Sequence, residues 1–145
     1  MAEISLLQAI RNAIEAERAA ERFYRGMIEH GGDAETHSFI ERVAAQERGH
    51  AEQIEAFVHR IDRGELPEFA DGPVDVVESD TDWARVDELD LKAAVGLAIE
   101  LEDKAKQYYE ALAGTSSGEL YAFFTTLVRV EEEHRRGFQK LLEIL

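Results

Sequence analysis

Apolar residues recur along most of this chain at alternating steps of three and four, the spacing of helices that pack on one another. The pattern occupies four long segments that are bounded by residues typical of helix ends. The predicted helices are A from about Ser5 to His30, B from about Asp33 to Arg63, C from about Asp87 to Ala113, and D from about Ser117 to the C-terminus.

Several helix ends carry specific signals. Ser5 with Gln8 and Ser116 with Glu119 each offer a capping box, in which a serine hydroxyl and a side chain three residues later bond reciprocally. The pair Gly31-Gly32 is expected to end helix A, since glycine adopts the left-handed backbone that stops a helix.

The connections between the helices predict the topology. Helices A and B, like C and D, are separated by a few residues, so each pair should form an antiparallel hairpin. The B–C connection, about residues 64–86, holds both prolines of the chain, Pro67 and Pro73. Its extended reach of roughly 75 Å exceeds the length of a 26-residue helix, roughly 40 Å. It can therefore cross a whole bundle, as the long connection of some four-helix bundles does.

The sequence thus predicts an all-α protein, a four-helix bundle in a single domain over residues 1–145. Hairpin A–B (about 5–63) and hairpin C–D (about 87–145) would be joined by the crossover, in which Trp83 is expected to pack on the bundle. A disordered linker between two hairpins is the alternative.

The two hairpins repeat each other. Residues 13–24 match residues 98–109 at six of twelve positions, with an offset of 85 (17 to 102). Residues 39–50 match residues 123–134 at their Phe, Glu and His positions, with an offset of 84 (47 to 131). A duplicated hairpin predicts a pseudo-two-fold axis and a symmetric site on that axis.

The apolar seams are interrupted at their middles. Helices A and C place a Glu there, and helices B and D place a Glu followed by a His three residues later. These residues are Glu17, Glu102, Glu47, His50, Glu131 and His134. An ionised carboxylate in a low-dielectric core costs several kcal/mol unless it is paired, and no seam contains a Lys or Arg that could pair with one.

Two divalent cations would neutralise four carboxylates, and neutral imidazoles would complete the ligand shells. Mixed Glu and His ligands favour iron or manganese, and a Glu from two helices with Glu-x-x-His from two others is typical of carboxylate bundles. One such pair alone would indicate a solvent-exposed ion pair, but the repeated mid-seam arrangement predicts a two-metal site. Tyr24 and Tyr109 stand two turns beyond Glu17 and Glu102, where they are either bundle core, hydrogen-bond donors to ligand carboxylates, or redox-active phenols.

Composition and charge argue against several kinds of partner and metal centre. The net charge of -15 should repel nucleic acid and anionic membranes. No apolar run is long enough for a membrane span, and the first residues lack the pattern of a signal peptide, so a cytoplasmic location is expected. The absence of cysteine excludes disulfides, iron–sulfur clusters and rubredoxin-type iron. The other histidines indicate no site: His30 lies at a helix end, His37 lies off the seam near the start of helix B, and His59 is expected to form a surface pair with Glu55.

At its repeated motifs the chain resembles the rubrerythrin branch of the ferritin-like superfamily, over nearly its whole length. The motifs are Ala13-Ile14 with Glu17 and Tyr24, Glu47-Arg48-Gly49-His50, Ala98-Ile99 with Glu102 and Tyr109, and Glu131-Glu132-Glu133-His134. The resemblance implies a ferritin-like bundle with a non-haem di-iron site, two iron ions per chain. It further implies that Glu17 and Glu102 are terminal ligands, Glu47 and Glu131 bridging ligands, and His50 and His134 nitrogen ligands.

Two departures qualify the activity that the resemblance implies. Typical rubrerythrins carry a further ligand Glu three residues after the helix C Glu, where this chain has Ala105. They also carry a rubredoxin domain, so here a separate electron-donor protein is expected. The predicted function is a di-iron oxidoreductase active in oxidative stress, with peroxide reduction first and ferroxidase activity the close alternative. Manganese catalase chemistry, a non-catalytic metal carrier and an adaptor are more distant alternatives, and a homodimer is expected from the habit of ferritin-like relatives.

Overall fold

The computed structural model describes residues 2–77 and 88–145, and within these ranges it contains four long helices and one small sheet. The elements are β1 (Ala2–Ser5), α1 (Leu6–Met27), a 3₁₀ turn (Ile28–His30), α2 (Ala34–Asp62), β2 (Pro73–Val76), α3 (Leu91–Gly114) and α4 (Gly118–Ile144). Helices α1 and α2 pack as one hairpin and α3 and α4 as another, and the hairpins meet along α1–α3 and α2–α4. The predicted all-α four-helix bundle is confirmed.

Three helices begin at a side chain that accepts a hydrogen bond from the first turn. Ser5 Oγ accepts from the Gln8 amide at 3.1 Å, but the Gln8 side chain bonds Asn12 rather than turning back to Ser5. Asp33 and Asp90 cap α2 and α3 in the same way. Because Asp90 is a strong cap, α3 begins at Leu91, later than the predicted start near Asp87, which itself lies outside the described residues.

The capping box predicted for helix D is wrong. Ser116 Oγ donates to the carbonyl of Leu112 at 2.7 Å, so it stays with the end of α3. Ser117 occupies the N-cap position but its hydroxyl donates to the carbonyl of Glu68 at 3.4 Å rather than capping the helix, and Gly118 follows with a φ of +60°. Glu119 points away from the cap and pairs with Arg60 at 2.6 Å. The left-handed glycine displaces the helix start by one residue, which the serine-to-glutamate spacing could not reveal.

Glycines act at two further places. Gly31 and Gly32 have φ values of 118° and 100° and separate the 3₁₀ turn from α2, which confirms their predicted role. Gly137 on α4 lies against the ring of Phe39 on α2, and a Cβ there would come within 2.5 Å of the ring. The Phe39 ring therefore occupies space that a side chain at position 137 would need.

The middle of the crossover forms a strand that the sequence did not predict. β2 pairs antiparallel with β1, with Ile4 opposite Val74, and the Leu6 amide donates to the carbonyl of Gly72 at 2.8 Å. Val74 packs into the core at one end of the bundle, whereas Leu91 at the start of α3 packs at the other end. The connection therefore runs from end to end, as predicted. Trp83 lies outside the described residues, so its packing stays a prediction.

The core is divided into two apolar clusters, one towards each end of the bundle. The first contains Leu6, Ile10, Leu112, Leu120 and Phe124 among others, and the second contains Phe23, Ile40, Val95 and Phe138. Between them lies a layer of buried polar side chains. Towards the end of α2, Ile54 and Val58 are buried, whereas Phe57 and Ile61 are only partly buried.

None of the helices in the described part of the chain is long and apolar enough to cross a membrane.

Candidate metal centre

The polar layer between the two apolar clusters consists of the six residues predicted from the interrupted seams. Each helix contributes at its middle, and every one of these side chains is buried. Their exposed fractions are 0% for Glu102 and Glu131, 2% for Glu47, 3% for Glu17, 4% for His134 and 7% for His50. Charged groups are rarely buried to this extent unless they are paired or bind a metal.

The six residues form two overlapping groups, in each of which the donor atoms lie within 4.8 Å of one another. One group is Glu17, Glu47, His50 and Glu131, and the other is Glu47, Glu102, Glu131 and His134. Glu47 and Glu131, here called the shared carboxylates, belong to both groups. Glu17 with His50 is called the Glu17 half, and Glu102 with His134 the Glu102 half. The pseudo-two-fold arrangement predicted from the duplicated hairpins is thus present in the donor atoms.

The spacing of the donors suits metal ions. Two ligands that each lie about 2.1 Å from one ion at right angles are about 3 Å apart. His134 Nδ1 lies 3.2 Å from Glu47 Oε1 and 3.7 Å from Glu102 Oε2. His50 Nδ1 lies 3.6 to 3.8 Å from oxygens of Glu131, Glu17 and Glu47. Small shifts of these side chains would bring the donor atoms around either histidine to the spacing of ligands on one metal ion.

The strongest indication of cation binding comes from buried polar atoms that make no hydrogen bond. Seven side-chain nitrogen and oxygen atoms in the described residues are buried without a hydrogen-bond partner, and all seven belong to these six side chains. They are Glu17 Oε2, Glu47 Oε1, His50 Nδ1, Glu102 Oε2, both oxygens of Glu131, and His134 Nδ1. Unsatisfied buried polar atoms are costly and therefore rare. Their concentration here fits a centre built to coordinate cations.

Burial and mutual repulsion perturb the carboxyl groups. Burial, together with the charges of Glu17 and Glu102, raises the pKa of Glu47 well above its ordinary value. Burial and the charges of Glu102 and Glu47 do the same to the pKa of Glu131. The pKa of Glu102 is lowered although its burial acts in the opposite direction, because contacts with Glu131 and His134 stabilise its charge. Without metal, the shared carboxylates therefore hold protons more firmly than ordinary glutamates.

The two tyrosines singled out in the sequence reach across the centre in opposite directions. Tyr24 on α1 donates its hydroxyl hydrogen bond to Glu102 Oε1 on α3. Tyr109 on α3 donates to Glu17 Oε1 on α1 at 2.5 Å. Burial and the neighbouring carboxylates raise the pKa of both phenols well above the usual 10.0, so they remain neutral donors. Each half of the centre thus has one carboxylate oxygen held by a phenol from the opposite hairpin.

One neighbour of the centre was missed by the sequence analysis. Gln46, the residue before Glu47, places Oε1 2.6 Å from Nε2 of His134. It lies off the apolar seam on an exposed position of α2, where no hydrophobic pattern could single it out. Gln46 also lines a surface depression on α2 together with Gly49, His50 and Gln53.

The remaining histidines take no part in the centre. His37 contacts the carbonyl of Gly31 at 2.8 Å, next to the start of α2. The expected pair between His59 and Glu55 is wrong, because Glu55 pairs instead with Arg18 across the α1–α2 hairpin.

Four helices joined by an end-to-end crossover, with four glutamates and two histidines buried at their middles, define a ferritin-like carboxylate bundle. The chain belongs to the rubrerythrin family, whose model matches residues 8–142.

A solved structure with the same fold is described as a ferritin-like diiron-carboxylate protein from Thermotoga maritima. It superposes with a TM-score of 0.81 at 22% identity, covering 99% of this chain and 97% of that one. At this identity the similarity establishes the fold alone. No match is found among curated proteins.

Proposed function

We propose that this protein is a non-haem di-iron oxidoreductase that reduces hydrogen peroxide. The observation that carries the proposal is the set of seven unsatisfied buried atoms, all on the six residues that the bundle brings together. Four carboxylates and two imidazoles offer the mixed oxygen and nitrogen donors that iron accepts. Membership of the rubrerythrin family supports iron over manganese, which the donor set alone separates poorly.

The grouping of the donors suggests the role of each. Glu17 and His50 would hold one ion, and Glu102 and His134 the other. Glu47 and Glu131 lie in both groups and would bind both ions. Four glutamates carry four negative charges and two ferrous ions carry four positive ones, so the loaded centre would be close to neutral in its low-dielectric surroundings.

A bound ferrous pair would supply two electrons, which together with two protons convert one peroxide into two waters as its O–O bond is cleaved. The chain's own part is to hold the ligands steady. Tyr24 and Tyr109 would keep Glu102 and Glu17 in place through their hydroxyl hydrogen bonds. Because burial holds these phenols neutral, they would donate without giving up their protons.

Small reactants would reach the centre beside His50. His50 is the most exposed of the six residues, at 7%, and lines the α2 depression with Gln46, Gly49 and Gln53. Glu102 on α3 and Glu131 on α4 are fully buried by comparison. After each turnover the electrons would come from a separate donor protein, since the chain lacks the cysteines of a rubredoxin-type centre.

The test is to isolate the protein with its native metal, count the iron, reduce it anaerobically and mix it with hydrogen peroxide or oxygen in a stopped-flow instrument. We expect two irons per chain, one peroxide consumed for each pair, and faster oxidation by peroxide than by oxygen. The variant Glu47→Ala with Glu131→Ala serves as a control for iron bound elsewhere. Stoichiometric metal loading without turnover would instead indicate a metal carrier.

Ala105 provides a second arm of the test, because it occupies the place of the further ligand Glu in typical rubrerythrins. Ala105 is partly exposed on α3, one turn beyond Glu102. Ala105→Glu should raise the rate of oxidation by peroxide if the chemistry is peroxide reduction. If oxygen reacts as fast as peroxide and this substitution changes nothing, the function is ferroxidase activity.

A further inference from the structure

The two halves of the centre have the same ligands but different supports for their histidines. His134 Nε2 lies 2.6 Å from Gln46 Oε1. The His50 ring has no such contact among the hydrogen bonds of the described residues: its Nδ1 is buried without a partner, and His50 lines the α2 depression. The difference has a counterpart in the duplicated sequence. Gln46 precedes Glu47, whereas the residue that precedes Glu131, at the matching offset of 84 (46 to 130), is Val130.

This contact restricts the state of the His134 ring. A neutral imidazole carries its proton on one nitrogen, and the other nitrogen has the lone pair that binds metal. An amide oxygen can only accept, so Oε1 of Gln46 favours the proton on Nε2. The lone pair then resides on Nδ1, which faces Glu47 and Glu102 at 3.2 and 3.7 Å. Valine has no polar atom, so Val130 cannot do the same for His50.

We propose that Gln46 is a positioning residue that holds His134 with its lone pair towards the carboxylates, so that the Glu102 half binds its metal ion more tightly than the Glu17 half. The inference rests on the proposed metal function and deepens it by making the two positions unequal. The ion in the Glu17 half, next to the surface depression, is then the one that exchanges more readily.

If the Gln46 amide had the opposite orientation, a different tautomer of His134 would be expected. A rotated amide would donate to Nε2 and place the ring proton on Nδ1, pointing at Glu47. That ring could not bind a metal until it changed tautomer. Gln46→Glu separates the two orientations, because a carboxylate can only accept from Nε2 and so preserves the proposed arrangement.

The size of the effect follows from where Gln46 lies. Loss of a partner to a metal-bound histidine typically lowers metal affinity by about 10- to 100-fold. Gln46 occupies an exposed position, so water can replace part of the lost hydrogen bond. We therefore expect about a tenfold weakening in Gln46→Leu, at the lower end of that range.

The first experiment uses the metal-free full-length protein and does not depend on the proposed function. ¹⁵N NMR of the histidine rings, at a pH where they are neutral, should show His134 protonated on Nε2. His50 should show a mixture of tautomers. Gln46→Leu should give His134 a similar mixture and Gln46→Glu should not, while Gln139→Leu, an exposed glutamine on the same helix as His134, should leave both rings unchanged.

The second experiment titrates the metal-free protein with Co²⁺ against a competing chelator. We expect one tight and one weaker ion per chain, with the tight ion weakened about tenfold in Gln46→Leu and retained in Gln46→Glu. Val130→Gln should tighten the weaker ion by supplying the partner that His50 lacks.

The outcomes distinguish the proposed metal function from the proposed role of Gln46. Absence of Co²⁺ binding to the centre would refute the proposed function itself. Two equal affinities, or a Gln46→Leu protein that keeps its tight ion and its His134 tautomer, would refute the role of Gln46 alone. Because Gln46 is exposed, its replacement should not unfold the bundle, and circular dichroism checks this directly.

Discussion

The Glu17 half and the Glu102 half of the centre lie in the two repeated hairpins. They have the same buried side chains but different residues around them. Each has one glutamate of its own, a histidine, and a phenol that reaches over from the opposite hairpin. Outside these buried groups they differ, since Gln46 contacts His134, whereas Val130 occupies the position in the repeat that corresponds to Gln46. A change to an inward-facing group leaves a buried charge unpaired, whereas a change at the surface costs little.

The same difference between buried and exposed groups is found at the residues that precede Tyr24 and Tyr109. Tyr108 and Phe23 occupy matching positions at the offset of 85, and each ring makes an edge-on contact with the neighbouring tyrosine. The Tyr108 hydroxyl donates to the carbonyl of Ala9 at 2.6 Å, while Phe23 is fully buried. The packing is therefore duplicated, but the polar atom occurs only where the ring is partly exposed.

Removing the shared carboxylates should abolish both halves at once and is the largest effect expected. Glu47→Ala with Glu131→Ala takes away the two residues common to both donor groups. Metal occupancy should fall well below one ion per chain. Metal analysis after dialysis measures it.

The matched control is Glu52→Ala with Glu133→Ala, which removes two exposed glutamates from the same two helices. It should keep two ions. If the first variant retained two ions at native affinity, the ligand assignment would be refuted.

Removing one terminal carboxylate should separate the halves. Glu17→Ala and Glu102→Ala each leave one complete donor group, so each variant should bind about one ion per chain. If the Glu102 half is the tighter one, the ion that remains in Glu17→Ala will be held more strongly than the ion that remains in Glu102→Ala. Calorimetric titration with Co²⁺ measures both stoichiometry and affinity, and equal affinities would mean that the halves are equivalent.

The raised pKa values of the shared carboxylates predict two opposite trends with pH, one for the stability of the metal-free protein and one for the additional stabilisation by metal. Their pKa values are raised in the folded, metal-free protein, so the folded state holds protons that the unfolded state releases. Metal-free stability should therefore be fullest below the ordinary glutamate pKa and decrease as the pH rises above it. Metal binding displaces these protons, so the stabilisation by metal should grow over the same range.

Thermal unfolding between pH 5 and pH 8, with and without Co²⁺, tests this. Glu47→Gln with Glu131→Gln keeps the shape of both side chains but removes their titration. Its metal-free stability should vary less with pH, which separates the centre from the general repulsion of a chain with a net charge of -15. An unchanged pH dependence in this variant would contradict the assignment of the protons to these two residues.

The features that could be predicted from the sequence are those enforced by the core. Glu17, Glu102 and the two Glu-x-x-His pairs stand out because they break an otherwise apolar seam, and the structure brings them together. The pairing of β2 with β1 could not be foreseen, because each strand is four residues long and lies within a turn-rich or terminal stretch.

Gln46 and the start of α4 were missed for a different reason. Gln46 acts through one hydrogen bond from an exposed position, and surface glutamines carry no periodic signal. The start of α4 depends on the backbone angle of Gly118, which determines whether Ser116 faces α3 or α4. Such features depend on the final geometry of single residues rather than on a pattern along the chain.

The smallest expected effect, and the finest comparison of the two halves, comes from removing single phenol hydroxyls. Tyr24→Phe and Tyr109→Phe each leave a buried carboxylate oxygen without its donor, which typically costs about 1.5–3 kcal/mol. Both should also weaken Co²⁺ binding, each in the half whose glutamate it supports. Tyr108→Phe is the matched control, because its hydroxyl bonds a neutral carbonyl away from the centre and Phe23 shows that the fold accepts phenylalanine at that position. It should cost about 1 kcal/mol and leave metal affinity unchanged. Urea unfolding and Co²⁺ titration of the three variants give the answer, and a loss of affinity in Tyr108→Phe equal to the other two would show that the phenols act through general packing rather than through their carboxylates.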